Sequence, residues 1–302
     1  MSDDQLKNNN LKQENIQIKR KTVGLAVGGG FIRSTAAIGA IEVLQENNIP
    51  IDLVSGCSSG AAVASAYAAG TLRQFKERLI RGSRREYWRI IFEPTVPKEG
   101  LLKGERNRRF FEEFVGDKNF SDLQKKLLIL TTDLISMKEV VVDSGRVGRA
   151  IQAATSVPGV FVPVKDGSRI LVDGGNFNII PSKILYQKGV DYVIAIHTAQ
   201  LPNLITRFLS NFKHLHKRDQ IIEQKKIKNL DLNILQIVLR AVKISSGQIK
   251  NFYYSNFPYD ALIIPDITGI KRWHIGRVNY LVNQGRKAAE AMLPKIKSDL
   301  GL

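Results

Sequence analysis

Apolar residues along the chain fall into short continuous runs, separated by glycine-rich turns and by stretches with helical spacing. TVGLAVG (22–28) is apolar with β-branched content, the pattern of a strand buried on both faces. After it, Ala37, Ile38, Ile41 and Leu44 share one face of a helix over about 34–47. A second strand over 51–55 runs into a small-residue helix over 59–69, which Gly70 is placed to terminate. Strand, helix, strand, helix in that order predicts parallel pairing with right-handed crossovers, hence an α/β fold. Residues 73–126 read as basic and mostly helical. LLILTTDL (127–134) and EVVVD (139–143) read as two strands, paired at an edge. A helix over 147–155, a strand RILVD (169–173), a helix near 181–188 and a strand DYVIAIHT (191–198) follow. Residues 200–255 carry no strand signal and read as a basic, helix-rich insertion. ALIIPDI (261–267) is a late strand, and a terminal helix spans about 275–299. There is no internal repeat and no second hydrophobic core.

Composition narrows the class. With 302 residues, 43% of them hydrophobic, the chain has enough apolar surface for a full core. The single cysteine, Cys57, excludes a disulfide framework and a cysteine-rich zinc site. No run approaches the ~20 apolar residues of a membrane span. The first 21 residues are polar and lack the apolar core of a signal peptide, so a disordered tail and a cytoplasmic location are expected.

Charge adds a partner class. The net charge is +17 and unevenly placed: residues 73–109 hold twelve Lys/Arg against five Asp/Glu, and residues 207–228 hold seven against two. Such an excess favours anionic lipid headgroups or nucleic acid, although solvated basic faces on ordinary helices give the same count. Tyr87 and Trp88 lie among arginines in RGSRREYWRIIF, a mixture that suits a membrane interface or a helix with one face in the core. No zinc-finger or RNA-binding signature accompanies it, which makes nucleic acid the weaker option.

Three segments carry candidate chemistry. Gly56-Cys57-Ser58-Ser59-Gly60 is a G-x-S-x-G sequence at a strand-to-helix junction, where a tight turn holds a serine with its hydroxyl exposed. The alternatives are that Ser58 merely caps the following helix, or that Cys57 is the nucleophile, although Ser58 holds the central position. Gly28-Gly29-Gly30-Phe31-Ile32-Arg33 is a glycine turn at a helix N-terminus, able to cradle a phosphate or to stabilise an oxyanion. Arg33 stands where a dinucleotide fingerprint needs its third glycine, so an oxyanion loop fits better. Asp173-Gly174-Gly175 closes the strand RILV and puts a carboxylate at a sheet's carboxyl end, or simply forms an Asp-Gly turn.

The order of these segments, with GLAVGGGFIRSTAAIGAIEVLQENNIPIDLVSGCSSGAAVASAYAAG, AIQAATSVPGVFVPV, DGGNFNIIP, DYVIAIHT and DALIIPDI, resembles the patatin-like phospholipases over residues 22–199 and 258–293. The resemblance implies a three-layer α/β/α domain over 22–302 with a mainly parallel central sheet. It also implies a lipid acyl hydrolase with a Ser–Asp dyad and no cofactor or metal. Ser58 is then the nucleophile and Asp173 its base, a role for which partial desolvation raises a carboxylate's pKa. Gly28, Gly29, Gly30 and Phe31 fall in the oxyanion loop, with Arg33 at its basic position, and Gly56, Gly60, Gly174 and Gly175 complete the motifs. Lipid is the implied substrate and an anionic membrane surface the expected partner. Two positions depart from the family pattern: Phe31 replaces a small residue and Ser34 a glycine. Phe31 narrows the loop or joins the acyl pocket, and Ser34 is free to cap the helix. Other readings are a Ser–His–Asp esterase using one of His197, His214, His216 or His274, and a non-catalytic lipid-binding member with an impaired oxyanion loop.

Overall fold

The computed structural model describes residues 20–96, 100–176, 179–199, 258–271 and 274–302. These contain eight strands: β1 (Val23–Val27), β2 (Leu53–Cys57), β3 (Lys126–Asp133), β4 (Lys138–Val142), β5 (Val164–Asp166), β6 (Arg169–Asp173), β7 (Tyr192–Ile196) and β8 (Ala261–Ile263). They form one sheet in the order β5-β6-β3-β2-β1-β7-β8, with β4 paired to β3. The ladders from β3 through β2, β1 and β7 to β8 are parallel, and those of β4, β5 and β6 are antiparallel. Every residue of β1 and β7 is buried, as continuous apolar strands at a sheet's centre require.

The α-helices among the described residues are α1 (Ala36–Glu46), α2 (Ser59–Ala68), α3 (Leu72–Arg81), α4 (Arg84–Ile91), α5 (Glu105–Val115), α6 (Val147–Thr155), α7 (Lys183–Gln187) and α8 (Val278–Leu300). Val23, Leu25 and Val27 point into one core with Ile38, Ile41 and Val63 of α1 and α2 and Val282 of α8. Ala26, on the alternate face, meets Ile180, Ile184 and Leu185 beside α7. The period-2 alternation of the strands thus faces helices on both sides, giving three layers.

Several boundaries differ from the sequence reading. β2 begins at Leu53 and runs through Cys57, directly into the serine turn, because its ladder to β3 continues to Leu130. β8 ends at Ile263, two residues before Pro265. β5 carries only three residues and was not expected; its ladder to β6 creates it rather than any local pattern. A 3-10 turn (Phe31–Thr35) precedes α1 and another (Ile275–Arg277) precedes α8. Arg20, read as part of a free tail, holds Asp52 through two hydrogen bonds. The basic segment 207–228 and the insertion 200–255 lie outside the described residues.

Candidate active site

Register brings two distant segments together. β2 ends at Cys57 opposite Leu130 of β3, and β6, running the other way, ends at Asp173 opposite the next residue, Thr131. The other edge of β3 is taken by β4, so β2 and β6 share one edge and their carboxyl ends meet head to head. Ser58 follows Cys57 with φ 53° and ψ −136°, a conformation that costs a non-glycine residue about 1–3 kcal/mol. It is held from both sides: Cys57 is in the ladder, and the Ser58 carbonyl accepts the Ala61 N–H at 2.9 Å. The turn aims Ser58 Oγ at Asp173, where it donates to Oδ2 at 2.7 Å. The side chain makes no capping bond to α2, so the cap alternative does not hold. The other carboxylate oxygen, Oδ1, accepts the Gly175 N–H at 2.8 Å, and the Asp173 N–H donates to the Ser156 carbonyl at 2.9 Å. Asp173 is 6% exposed, and Gly174 passes tightly over the Leu130 carbonyl. Cys57 is fully buried beneath the turn, which removes it as an accessible nucleophile.

Close approach dictates the glycines. A Cβ on Gly29 would lie 2.7 Å from the Ser58 Cβ, so only glycine lets the first loop pass the serine. Gly56 and Gly60 are packed equally closely, against Ala61 and the Gly28 carbonyl.

The backbone donors of that loop are arranged differently from the expectation. Gly28 N–H donates to the Ile196 carbonyl (3.0 Å) and Gly29 N–H to the Ile179 carbonyl (3.1 Å), so both are spent on fixing the loop to its neighbours. Gly30 N–H reaches Ser59 Oγ at 3.1 Å. Thr198 Oγ1 donates to the Gly28 and Gly29 carbonyls. Arg33 is buried and sends Nε to the Ile270 carbonyl at 2.8 Å; it ties the loop to the segment after β8 and does not line the cavity. Phe31 takes the strained conformation in this loop, with φ 60°, and does line the cavity. Ser34 caps nothing: its hydroxyl closes the turn onto the Phe31 carbonyl at 2.7 Å.

Ser58 opens onto a cavity of about 130 Å³ walled by Phe75 and Leu79 of α3, Tyr87 of α4 and Phe110 and Phe111 of α5. Edge-to-face contacts among Phe75, Phe110, Phe111 and Phe114 brace this wall. Residues 73–126 were expected to be basic and mostly helical, with a core-facing side for the Tyr87 helix as one alternative, but that these faces wall a cavity beside Ser58 was not foreseen. The wall's signal was present in the helical spacing of Phe75 and Leu79, and of Tyr87, Ile90 and Ile91, opposite the arginines. Ser59 and Thr198, which hold the glycine loop, were also missed. No histidine lines the cavity among the described residues. Burial pushes the His197 pKa down to about 4, and His274 Nδ1 accepts the Lys271 N–H. His214 and His216 lie outside the described residues. Among those residues no group of three His, Cys, Asp or Glu side chains is placed to hold a metal, and no helix is long and apolar enough to cross a membrane.

A serine at a strained strand–helix turn, bonded directly to a strand-ending aspartate over an apolar cavity, is an arrangement suited to acyl transfer. The chain is 27% identical over 293 residues to the lysophospholipase nte1 of Aspergillus fumigatus, covering 92% of this chain and 18% of that protein. It is 32% identical over 190 residues to the lysophospholipase NTE1 of Phaeosphaeria nodorum, covering 60% and 12%. The chain thus spans less than a fifth of either relative. Among solved structures, VipD from Legionella pneumophila aligns with a TM-score of 0.45 and 14% identity, over 90% of this chain and 67% of that one. The family model for patatin-like phospholipases matches residues 25–186, more than half of the sequence, and the chain belongs to that family.

Proposed function

We propose that the chain is a lipid acyl hydrolase in which Ser58 is the nucleophile and Asp173 its base. The observation that carries this reading is the 2.7 Å hydrogen bond from Ser58 Oγ to Asp173 Oδ2 at the edge of an apolar cavity. As Oγ attacks an ester carbonyl its proton passes to Oδ2, while the Gly175 N–H keeps Oδ1, and so the carboxyl plane, in place. The tetrahedral oxyanion takes the Gly30 N–H, which leaves Ser59 Oγ, together with the amides at the N-terminus of α2. Collapse expels the alcohol, which takes the proton from Asp173, and leaves an acyl-serine. Water, deprotonated by the same carboxylate, then releases the fatty acid. A wall of phenylalanines and aliphatic side chains suits an acyl chain, and the lysophospholipase names of the relatives support a phospholipid or lysophospholipid as its source.

A second reading has its own support. With the Gly28 and Gly29 amides occupied and Phe31 in the cavity wall, the same structure fits a weakly active or non-catalytic lipid-binding member. Turnover of a soluble short-chain ester and of lysophospholipid, with labelling by a fluorophosphonate, decides between them. On the hydrolase reading Ser58→Ala abolishes labelling and turnover, Asp173→Asn lowers turnover by on the order of 10³-fold or more, and His274→Ala retains it. A wild-type protein that neither labels nor turns over supports lipid binding alone.

A further inference from the structure

The outer side of the cavity wall has a pattern that catalysis does not use. Tyr87, Ile90 and Ile91 of α4 line the cavity, and the opposite stripe is Arg85, Trp88, Arg89 and Phe92, spaced i, i+3, i+4, i+7. Trp88 is 36% exposed and Phe92 59%. The stripe continues into two segments hydrogen-bonded to it in sequence. Lys103 N–H donates to the Glu93 carbonyl (2.8 Å), Thr95 N–H to the Leu101 carbonyl (3.1 Å), and Leu101 N–H to the Val160 carbonyl (3.0 Å). Val96, Leu101 and Val160 along this ribbon are 70%, 57% and 37% exposed. Val157, in the same loop as Val160, lines the cavity and is itself 37% exposed, so the ribbon borders the cavity's opening.

Charge singles out the occupant. Every described glutamate between residues 73 and 115 lies within 4 Å of an arginine. Arg84, Arg85, Arg89 and Lys103 make no ion pair within 4 Å among the described residues, Arg89 sensing Glu86 only at longer range, and all four are exposed. Isolated exposed apolar residues are ordinary. Five on one connected rim, interleaved with exposed cations outside any close ion pair and a tryptophan, match the requirements of the bilayer interface, where apolar groups enter the acyl boundary and cations meet headgroup phosphates.

We infer that the Arg85–Trp88–Arg89–Phe92 stripe, with Val96, Leu101 and Val160, is a docking face for a bilayer bearing anionic headgroups, and that it sets the cavity opening against the membrane. The inference rests on the acyl-hydrolase reading for its purpose, but its test does not require turnover.

The chain has two tryptophans, so Trp273→Phe leaves Trp88 as the sole reporter, and Ser58→Ala prevents lipid cleavage during the measurement. This protein is mixed with phosphatidylcholine vesicles, with or without phosphatidylglycerol, carrying brominated acyl chains. Docking by this face gives a blue shift and bromine quenching of Trp88 on the anionic vesicles. Affinity should be at least about tenfold above that for neutral vesicles at low salt, and fall as salt rises. Arg85→Glu with Arg89→Glu lowers that affinity at least about tenfold, and Phe92→Ala with Leu101→Ala reduces the quenching. In the Ser58 protein neither pair alters turnover of a soluble ester. Vesicle binding without Trp88 quenching assigns docking to another face and overturns the inference, as does absence of binding to anionic vesicles. A lipid-free blue shift that accompanies a doubling of mass assigns the stripe to a contact between two copies and overturns it equally. If the Ser58 protein lacks turnover on the soluble ester, the hydrolase reading fails while the docking result stands.

Discussion

Ser58 and Phe31 are the two strained residues of the site, with φ 53° and 60°, and the structure treats them differently. Ser58 is fixed by a ladder before it and a helix after it, so its strain aims the hydroxyl. Phe31 begins a 3-10 turn and spends its ring on the cavity wall. Phe31→Ala is expected to widen the approach to the Gly30 amide and raise turnover of a soluble ester several-fold; a fall would show that the ring positions the acyl chain. His197 gives a second prediction at this scale. Its pKa is about 4 when buried and near 6.5 in an unfolded chain, so the unfolded state binds more protons between those values. The neutral ring's contribution is therefore complete above about pH 6.5 and is lost as pH falls toward 4, on the order of 3 kcal/mol in total. Melting temperature should drop between pH 6.5 and 5, above the carboxylate range, and His197→Asn should flatten that part of the curve.

Among the elements, the tightest seam joins α1 and α8. A Cβ on Gly285 would sit 1.7 Å from the Ala36 carbonyl oxygen, and one on Gly39 would sit 1.9 Å from that of Val282. The helices touch backbone to backbone, and any side chain must push them apart. Gly285→Val is expected to cost about 1–3 kcal/mol and lower the melting temperature by several degrees, measured by calorimetry. The β3–β4 hairpin depends on Asp133, whose carboxylate accepts the Ile135, Ser136 and Ile170 N–H groups and the Ser136 hydroxyl. These bonds hold its pKa well below the usual carboxylate range. Because Ile170 lies in the strand that ends at Asp173, Asp133→Ala should lower turnover as well as thermal stability. Unchanged turnover would mean that β6 is positioned by its ladders alone.

For the molecule as a whole, one continuous sheet with helices on both faces supports a single domain over 22–302, which we propose on that ground. Heating should then give one transition that coincides by calorimetry, circular dichroism and loss of esterase activity; two separated transitions would count against it. The chain leaves β7 at its carboxyl end and must return to the start of the parallel β8, a crossover that needs about a dozen residues. Replacing residues 204–250 by a linker of that length should therefore preserve folding and soluble-ester turnover. Most strands and helices were legible from local pattern, whereas Ser58 and Asp173 were singled out by the order of their motifs and the family it resembles, since local pattern alone left a helix cap and an Asp-Gly turn open. Apolar runs mark buried strands, glycine punctuates close turns, and short motifs encode their own turn geometry. The three-residue β5 was not legible, because it exists only through its partner. Nor were the partners of the Gly28 and Gly29 amides, since Ile196 and Ile179 are more than 140 residues away and act through backbone atoms that no side chain reveals. Sequence by itself, through its motifs and their order, nominated the groups proposed to carry the chemistry. Only the tertiary structure decided that they meet, because the meeting depends on a register along β3, where Leu130 and Thr131 are consecutive and the strands they pair with arrive from opposite directions.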